Sequence, residues 1–238
     1  MVQKGIISVK AGCKVKICGV TNVEDARLAA GEGADYLGVV VNTAFSPRSL
    51  SVEEAGPIFA AVEVPVVALV YNLEPEGIEQ VARKLNPYAV QFLSPEGPAL
   101  AGFLKSFRPK LKIWQSLYLP AGGTRGGIFD AESCRLEVEE CKEAGIDAVL
   151  FDTAAVVNGV ARFGGTGLAG DWEAAAHLVQ ESPLPSFLAG GIDPGNVKRA
   201  IETVRPFGID LCSGVEEYPG KKSPSKIRAL LEEVKRAV

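Results

Sequence analysis

Residues 14–41 read KVKICGVTNVEDARLAAGEGADYLGVVV, a helical stretch between two apolar strand-like runs. The runs KVKIC (14–18) and YLGVVV (36–41) are rich in Val, Ile and Leu, which is typical of strands buried on both faces. Between them, Thr21 and Asn22 are candidate helix caps, and a glycine closes the helical stretch. This connection is too long for a hairpin, so the segment predicts a parallel β-strand, a helix and a second parallel strand.

The same alternation continues to the end of the 238-residue chain. Further strand-like runs lie at 66–71, 88–93, 112–118, 147–152, 185–190 and 209–214, and helical stretches lie at 51–62, 75–85, 95–107, 131–144, 171–180, 194–203 and 223–237. Eight even repeats predict an α/β protein with a single (β/α)8 TIM barrel rather than the alternative, an open doubly wound sheet. We expect residues 1–12 to form an N-terminal extension and residues 13–238 to form the barrel.

Composition argues against several classes of partner. The formal net charge is −4, and the Lys and Arg residues are scattered, so we expect neither nucleic acid nor a membrane as a partner. Five cysteines without zinc spacing and a single histidine, His177, predict no metal site and reduced thiols in the cytoplasm. The oligomeric state stays open between a monomer and a homodimer.

In a TIM barrel the chemistry lies at the carboxyl ends of the strands. Asp152 shares the strand face of Leu150, so its carboxyl should point into the barrel mouth, where partial desolvation raises a pKa and suits a general acid. Cys18 shares the face of Lys16, whose ammonium would favour a thiolate able to act as base or nucleophile. The alternative interpretations are a turn cap for Asp152 and a core-filling side chain for Cys18. Lys16 could instead be paired with Asp210 on strand eight, which neighbours strand one once the sheet closes.

Three glycine-rich stretches follow the last three strands. LAGGIDPGNV (188–197) and CSGVE (212–216) fit the usual phosphate position after strands seven and eight. The alternative is that the same glycines form tight turns that bind no ligand. FGGTG (163–167) borders the phosphate, closes over a substrate, or is only a hinge. In the loop after strand two, Arg48 lies on a proline-stiffened turn and could hold a carboxylate with two hydrogen bonds, or remain a solvated loop arginine.

Six segments together resemble the phosphoribosylanthranilate isomerase family, (β/α)8 enzymes of tryptophan biosynthesis. They are KICGVTNVEDARLAAGEGADYLGVVV, SPRSLS, VPVVALVYN, GGTGLAGDW, FLAGGIDPGNV and GIDLCSGVEEYPGKKSPSKIRAL. The resemblance covers nearly the whole chain and is weakest over 92–146. It implies an Amadori rearrangement of N-(5-phosphoribosyl)anthranilate to 1-(2-carboxyphenylamino)-1-deoxyribulose 5-phosphate, without a cofactor.

The same resemblance implies a role for each candidate residue. Cys18 would be the general base and Asp152 the general acid, and Arg48 would hold the anthranilate carboxylate. The remaining candidates are Gln91 and Asn72 for the substrate, and Gly165, Thr166, Gly167, Gly190, Gly191, Ser213 and Gly214 for its phosphate.

The chain also departs from the family pattern, mainly on the anthranilate side. Strand four ends QFLS (91–94) where the family usually has QLHG, Leu168 stands where a lysine is common, and the link over 119–131 is long and glycine-rich. A paralogue that isomerises another aminoribose phosphate and a non-catalytic phosphosugar-binding barrel therefore remain as alternatives.

Overall fold

The computed structural model describes residues 12–120, 131–157, 160–163 and 171–237, and within them the eight parallel strands of a barrel alternate with eight helices, while a two-residue strand at Ser49–Leu50 pairs in parallel outside the barrel ring. The strands are β1 (Lys14–Ile17), β2 (Tyr36–Val41), β3 (Val66–Val70), β4 (Ala89–Phe92), β5 (Lys112–Pro120), β6 (Ala148–Val157), β7 (Ser186–Leu188) and β8 (Gly208–Leu211). The helices are α1 (Val23–Glu32), α2 (Val52–Ala60), α3 (Pro75–Leu85), α4 (Gly97–Phe107), α5 (Ala131–Glu143), α6 (Trp172–Glu181), α7 (Val197–Val204) and α8 (Pro224–Ala237).

The sheet closes on itself, which confirms the predicted TIM barrel. Strand β1 pairs with β2 on one side and with β8 on the other, and each remaining strand pairs in parallel with its neighbours in the chain. The register of β1 against β8 places Lys16 opposite Asp210. The predicted extension over residues 1–12 stays a prediction, because residues 1–11 lie outside the described part of the chain.

Local signals explain several element boundaries. Asn22 caps α1 by accepting a hydrogen bond from the Asp25 N–H at 2.8 Å, and Ser51 with Glu54 forms the capping box of α2. Helix α7 begins at Val197 rather than at the predicted residue 194, because an Asp193 carboxylate oxygen accepts hydrogen bonds from two backbone N–H groups in the preceding turn. Strand β6 continues past Asp152 and pairs with an antiparallel strand at Val160–Phe163, an addition the sequence did not predict.

Apolar side chains pack in two layers, one between the strands and the helices and one inside the barrel. Val149 and Phe151 belong to the outer layer and Leu150 to the inner one, as the alternation along β6 predicted. The ring of Trp114 lies 5.3 Å from that of Tyr36 and 4.9 Å from that of Phe187. These aromatic rings fill the amino-terminal part of the barrel and leave the carboxyl ends of the strands for a cavity. Among the described residues, no helix has the length and apolar character needed to cross a membrane.

Candidate active site

A cavity of about 770 Å³ opens at the carboxyl ends of the strands. It is bounded by residues at the ends of β1, β6 and β8 and by the loops after β2, β7 and β8. The predicted site residues that line it are Cys18, Arg48, Gln91, Asp152, Gly190, Gly191, Ser213 and Gly214. The fold therefore brings the candidate acid, the candidate base and two of the glycine loops to one cavity.

Cys18 follows β1 directly and points into the barrel. Its N–H donates to the Leu211 carbonyl oxygen at 2.7 Å, and its side chain is buried. Gly38 on β2 makes room for the thiol, because a Cβ at this position would lie 2.8 Å from the Cys18 Sγ.

Three charged side chains, Asp210, Lys16 and Lys222, influence the pKa of the Cys18 thiol. Burial raises the pKa of the Cys18 thiol, the Asp210 carboxylate raises it further, and the Lys16 and Lys222 ammonium groups lower it without reversing the net direction. Lys16 is fully buried and its Nζ lies 3.0 Å from the Asp210 Oδ2, so much of its charge is already balanced. The alternative pairing of Lys16 with Asp210 is therefore confirmed, and Lys16 lowers the pKa of Cys18 as expected but does not reverse the net rise.

Asp152 lies on β6, and its carboxyl group is enclosed by the barrel mouth. Burial raises its pKa from 3.8 to about 7, against the opposing effect of a hydrogen bond of 2.7 Å from the Thr153 N–H, and the Asp210 carboxylate adds to the rise. At neutral pH this carboxyl group therefore holds its proton for a large fraction of the time, as a general acid must.

Arg48 is not a solvated loop arginine. Its Nε and Nη2 donate to the two carboxylate oxygens of Glu216 at 2.8 and 2.5 Å, and Lys222 donates to the same carboxylate at 2.9 Å. Arg48 thus forms the predicted pair of hydrogen bonds to a carboxylate, but this carboxylate belongs to Glu216 and not to a substrate. No role was predicted for Glu216 and Lys222, although both lie in the segment GIDLCSGVEEYPGKKSPSKIRAL that carries the family resemblance.

Gln91 and Asn72 have different environments. The buried Gln91 donates from Nε2 to the Ser116 Oγ at 3.0 Å, while its Oε1 has no partner among the described residues and can accept a hydrogen bond from a ligand. Asn72 is exposed and adopts a left-handed backbone with φ of 48°. Its neighbour Tyr71 lines the cavity instead, so the assignment of Asn72 to the substrate remains a prediction without structural support.

Two aromatic residues at the cavity were not singled out from the sequence. Phe45 and Tyr71 both line it, with ring centroids 4.8 Å apart and planes at 88°. This edge-to-face pair gives one side of the cavity an apolar wall of the kind that suits an aryl group.

The loops after β7 and β8 pack closely against each other. Gly190 and Gly191 have φ values of 85° and 61°, and a Cβ at Gly214 would lie only 2.0 Å from the Ile192 carbonyl oxygen. Such glycines let backbone N–H groups approach an anion. The third predicted phosphate segment, Gly165, Thr166 and Gly167, and most of the 119–131 link lie outside the described residues.

Two further observations complete the site. Asp210 lines the cavity with its Oδ1 buried and without a partner in the described part of the chain. Within those same residues, no group of three or more His, Cys, Asp and Glu side chains could hold a metal ion.

Comparison with known proteins agrees with this geometry. Residues 15–233 match the family model described as N-(5'phosphoribosyl)anthranilate (PRA) isomerase. An N-(5'-phosphoribosyl)anthranilate isomerase from Methanocella arvoryzae is 35% identical over 227 residues, which cover 93% of this chain and 98% of that protein. The corresponding protein from Methanopyrus kandleri is 36% identical over 226 residues, with the same shares covered.

Solved structures give the same result. A phosphoribosyl anthranilate isomerase from Thermotoga maritima is 29% identical, with a TM-score of 0.76 over 94% of this chain and 99% of that chain. A second isomerase structure, solved with reduced 1-(O-carboxyphenylamino)-1-deoxyribulose 5-phosphate, is 28% identical with a TM-score of 0.74, over the same shares of the two chains. The resemblance stated from the sequence is confirmed: the chain belongs to the N-(5'-phosphoribosyl)anthranilate isomerase family.

Proposed function

We propose that this protein catalyses the Amadori rearrangement of N-(5-phosphoribosyl)anthranilate, with Asp152 as general acid and Cys18 as general base. The observation that carries the proposal is that a carboxyl group with a pKa of about 7 and a thiol line one cavity with two glycine loops. The substrate of the family contains the groups that this cavity can recognise, namely an aryl ring, a carboxylate, a ribose and a phosphate.

In the first step Asp152 donates its proton to the ribose ring oxygen. The bond from this oxygen to C1 breaks, and the anthranilate nitrogen supplies an electron pair to C1. The sugar opens to a protonated Schiff base, and Asp152 is left as a carboxylate. A carboxyl group with a pKa near 7 suits this step, because a proton-transfer catalyst works best with a pKa near the working pH.

In the second step the Cys18 thiolate removes the proton from C2. The electrons of the C2–H bond form the C1=C2 double bond, and those of the C1=N bond return to nitrogen, which gives an enolamine. The Cys18 thiol then returns its proton to C1, and the Asp152 carboxylate accepts the proton from O2, which gives the ketone and restores both groups. Cys18 starts as a thiol, so its proton first passes to solvent and is regained after turnover. The cationic Schiff base favours this ionisation, because a positive charge nearby lowers the pKa of a thiol.

Three groups hold the substrate around these two residues. The backbone at Gly190, Gly191, Ser213 and Gly214 takes the phosphate, and Arg48 takes the anthranilate carboxylate. Residues 165–167 are expected to complete the phosphate site. The proton transfers return the acid and the base to their starting forms, so the chemistry requires no redox cofactor.

The oligomeric state and the cellular location of the protein are expectations. One structural neighbour is described as monomers generated from a dimeric phosphoribosylanthranilate isomerase of Thermotoga maritima, and for this chain both a monomer and a homodimer stay open. The cytoplasmic location predicted from reduced thiols stays a prediction, and all five cysteines are free in the structure.

Steady-state turnover of N-(5-phosphoribosyl)anthranilate by the purified protein tests the proposal. Cys18→Ala and Asp152→Asn should each lower kcat/KM by about a hundredfold or more. Cys134→Ala is the matched control, because Cys134 is a buried cysteine of α5 in the outer core layer, away from the cavity. A wild-type rate equal to the uncatalysed background would contradict the proposed isomerase activity. Wild-type turnover that survives both active-site substitutions would contradict the roles of Cys18 and Asp152.

A further inference from the structure

A buried cluster of three charged side chains lies at the edge of the cavity. Arg48, Glu216 and Lys222 have side-chain exposures of 12%, 3% and 0%. The Glu216 Oε1 accepts from the Arg48 Nε, from the Lys222 Nζ at 2.9 Å and from the Gly220 N–H at 3.2 Å. Burial alone would raise the pKa of Glu216, but the hydrogen bond from Arg48 and the charge of Lys222 hold it below its usual range. The cluster thus holds two cations and one anion.

The hydrogen bonds determine which edge of the Arg48 guanidinium is free. Nε and Nη2 form one edge of the planar group, and Glu216 occupies that edge with both carboxylate oxygens. Nη1 has no hydrogen-bond partner among the described residues, and Arg48 lines the cavity. A second carboxylate can therefore be bound in two-point geometry only along the Nη1–Nη2 edge.

Two further features hold this arrangement in place. The aliphatic part of Arg48 packs on Gly19, where a Cβ would lie 2.6 Å from the Arg48 Cδ. Lys222 supplies the second positive charge, without which Arg48 and Glu216 would form a neutral pair with little attraction for an anion. The cluster therefore keeps an excess of one positive charge beside the cavity after Arg48 has been fixed by Glu216.

We propose that Glu216 is a positioning residue: it turns the free edge of Arg48 toward the cavity and so sets the preference for substrates that carry a carboxylate on the aryl ring. The inference rests on the proposed function. Glu216 does not touch the reacting atoms and acts through Arg48.

Binding of two stable ligands that differ only in this carboxylate tests the inference. One is reduced 1-(2-carboxyphenylamino)-1-deoxyribulose 5-phosphate, and the other is the same compound without the carboxyl group. Calorimetry gives the ratio of their Kd values for the wild type and for Glu216→Gln. Glu217→Gln is the matched control, because Glu217 is the exposed neighbour of Glu216.

Glu216→Gln should reduce the wild-type preference for the carboxylated ligand by about tenfold or more, the size expected for a misplaced charge-assisted contact. Its affinity for the ligand without the carboxyl group should stay within about twofold of the wild-type value. In an Arg48→Ala background the same substitution should change the ratio no further, because Glu216 acts only through Arg48. If Glu216→Gln does not fold, Glu216→Asp takes its place, since it keeps the charge and withdraws the carboxylate by one methylene.

The outcomes separate the two proposals. A wild type that prefers the carboxylated ligand, with the same ratio in the Glu216 variant and a lost preference in Arg48→Ala, overturns the role of Glu216 alone. Equal weakening of both ligands in the Glu216 variant also overturns it, because that result indicates general damage to the site. A wild type that binds neither ligand and shows no turnover contradicts the proposed function itself.

Discussion

Replacing Asp152 with Asn should abolish most of the activity and at the same time stabilise the folded protein. Burial raises the pKa of Asp152 from 3.8 to about 7, so the folded state favours the neutral form far more than the unfolded chain does. At neutral and alkaline pH, folding must therefore enclose a charge that the unfolded chain keeps in water. Asparagine has nearly the same shape, keeps an oxygen for the Thr153 N–H and carries no charge.

The magnitude follows from linkage. Each pH unit between the two pKa values corresponds to about 1.36 kcal/mol, so the charge of Asp152 destabilises the fold by up to about 4 kcal/mol above pH 7. Below pH 4 both states are protonated and the penalty vanishes. The stability of the wild type relative to Asp152→Asn should consequently fall as the pH rises from about 4 to about 7.

Thermal unfolding followed by circular dichroism at several pH values measures this difference. At pH 8 the Asp152→Asn variant should melt roughly 10 °C above the wild type, taking about 2–4 °C for each kcal/mol in a domain of this size. At pH 4.5 the gap should shrink to a few degrees. Glu217→Gln removes an exposed charge and is the control that should follow the wild type. A gap independent of pH, or a variant less stable than the wild type at pH 8, would refute the reasoning.

Three further predictions concern the walls and the protonation of the cavity. Gly38→Ala should lower kcat by about tenfold or more, because the new Cβ would lie 2.8 Å from the Cys18 Sγ and displace the thiol. Gly31→Ala is the control and should keep the wild-type kcat, because the space around its Cβ is open. Gly214→Ala should raise the Kd for inorganic phosphate at least about tenfold, because a Cβ 2.0 Å from a carbonyl oxygen of the neighbouring loop forces the two loops apart; an unchanged Kd in calorimetry would place the phosphate elsewhere. The reactive form of the enzyme has a protonated Asp152 and a Cys18 thiolate, and Asp152 loses its proton at lower pH than Cys18 does. The fraction of enzyme in this form, and with it kcat/KM, should therefore rise with pH up to about 7 and then level off. A change of slope near pH 4 instead would contradict the raised pKa of Asp152.

The barrel and the facing of its inner side chains could be predicted from the sequence because they follow from short-range periodicity. Strands buried on both faces read as continuous apolar runs, and period-two alternation assigned Leu150 and Asp152 to the inside and Phe151 to the outside. Closure of eight parallel units then brought residues distant in the chain to one mouth, as the contact of Lys16 with Asp210 illustrates.

Features that depend on contacts between residues far apart in the chain could not be predicted in the same way. Arg48 and Glu216 are 168 positions apart, and no local pattern indicates that the arginine would already be paired with a carboxylate of the protein. The pKa of Cys18 depends on the balance of burial, one anion and two cations. The sequence suggested Lys16 and its possible pairing with Asp210, but not Lys222 or the size of the effect of burial. The edge-to-face contact of Phe45 with Tyr71 likewise joins two loops whose relative position only the folded barrel defines.

A crystal structure of the protein with reduced 1-(2-carboxyphenylamino)-1-deoxyribulose 5-phosphate tests the central claim most directly. The account predicts the Cys18 Sγ within about 3.5 Å of the ribulose carbons C1 and C2, where a reacting pair must lie. It also predicts the Asp152 carboxyl within hydrogen-bond distance of the oxygen on C4, which was the ring oxygen of the substrate. A bound ligand whose sugar contacts neither side chain would contradict the account.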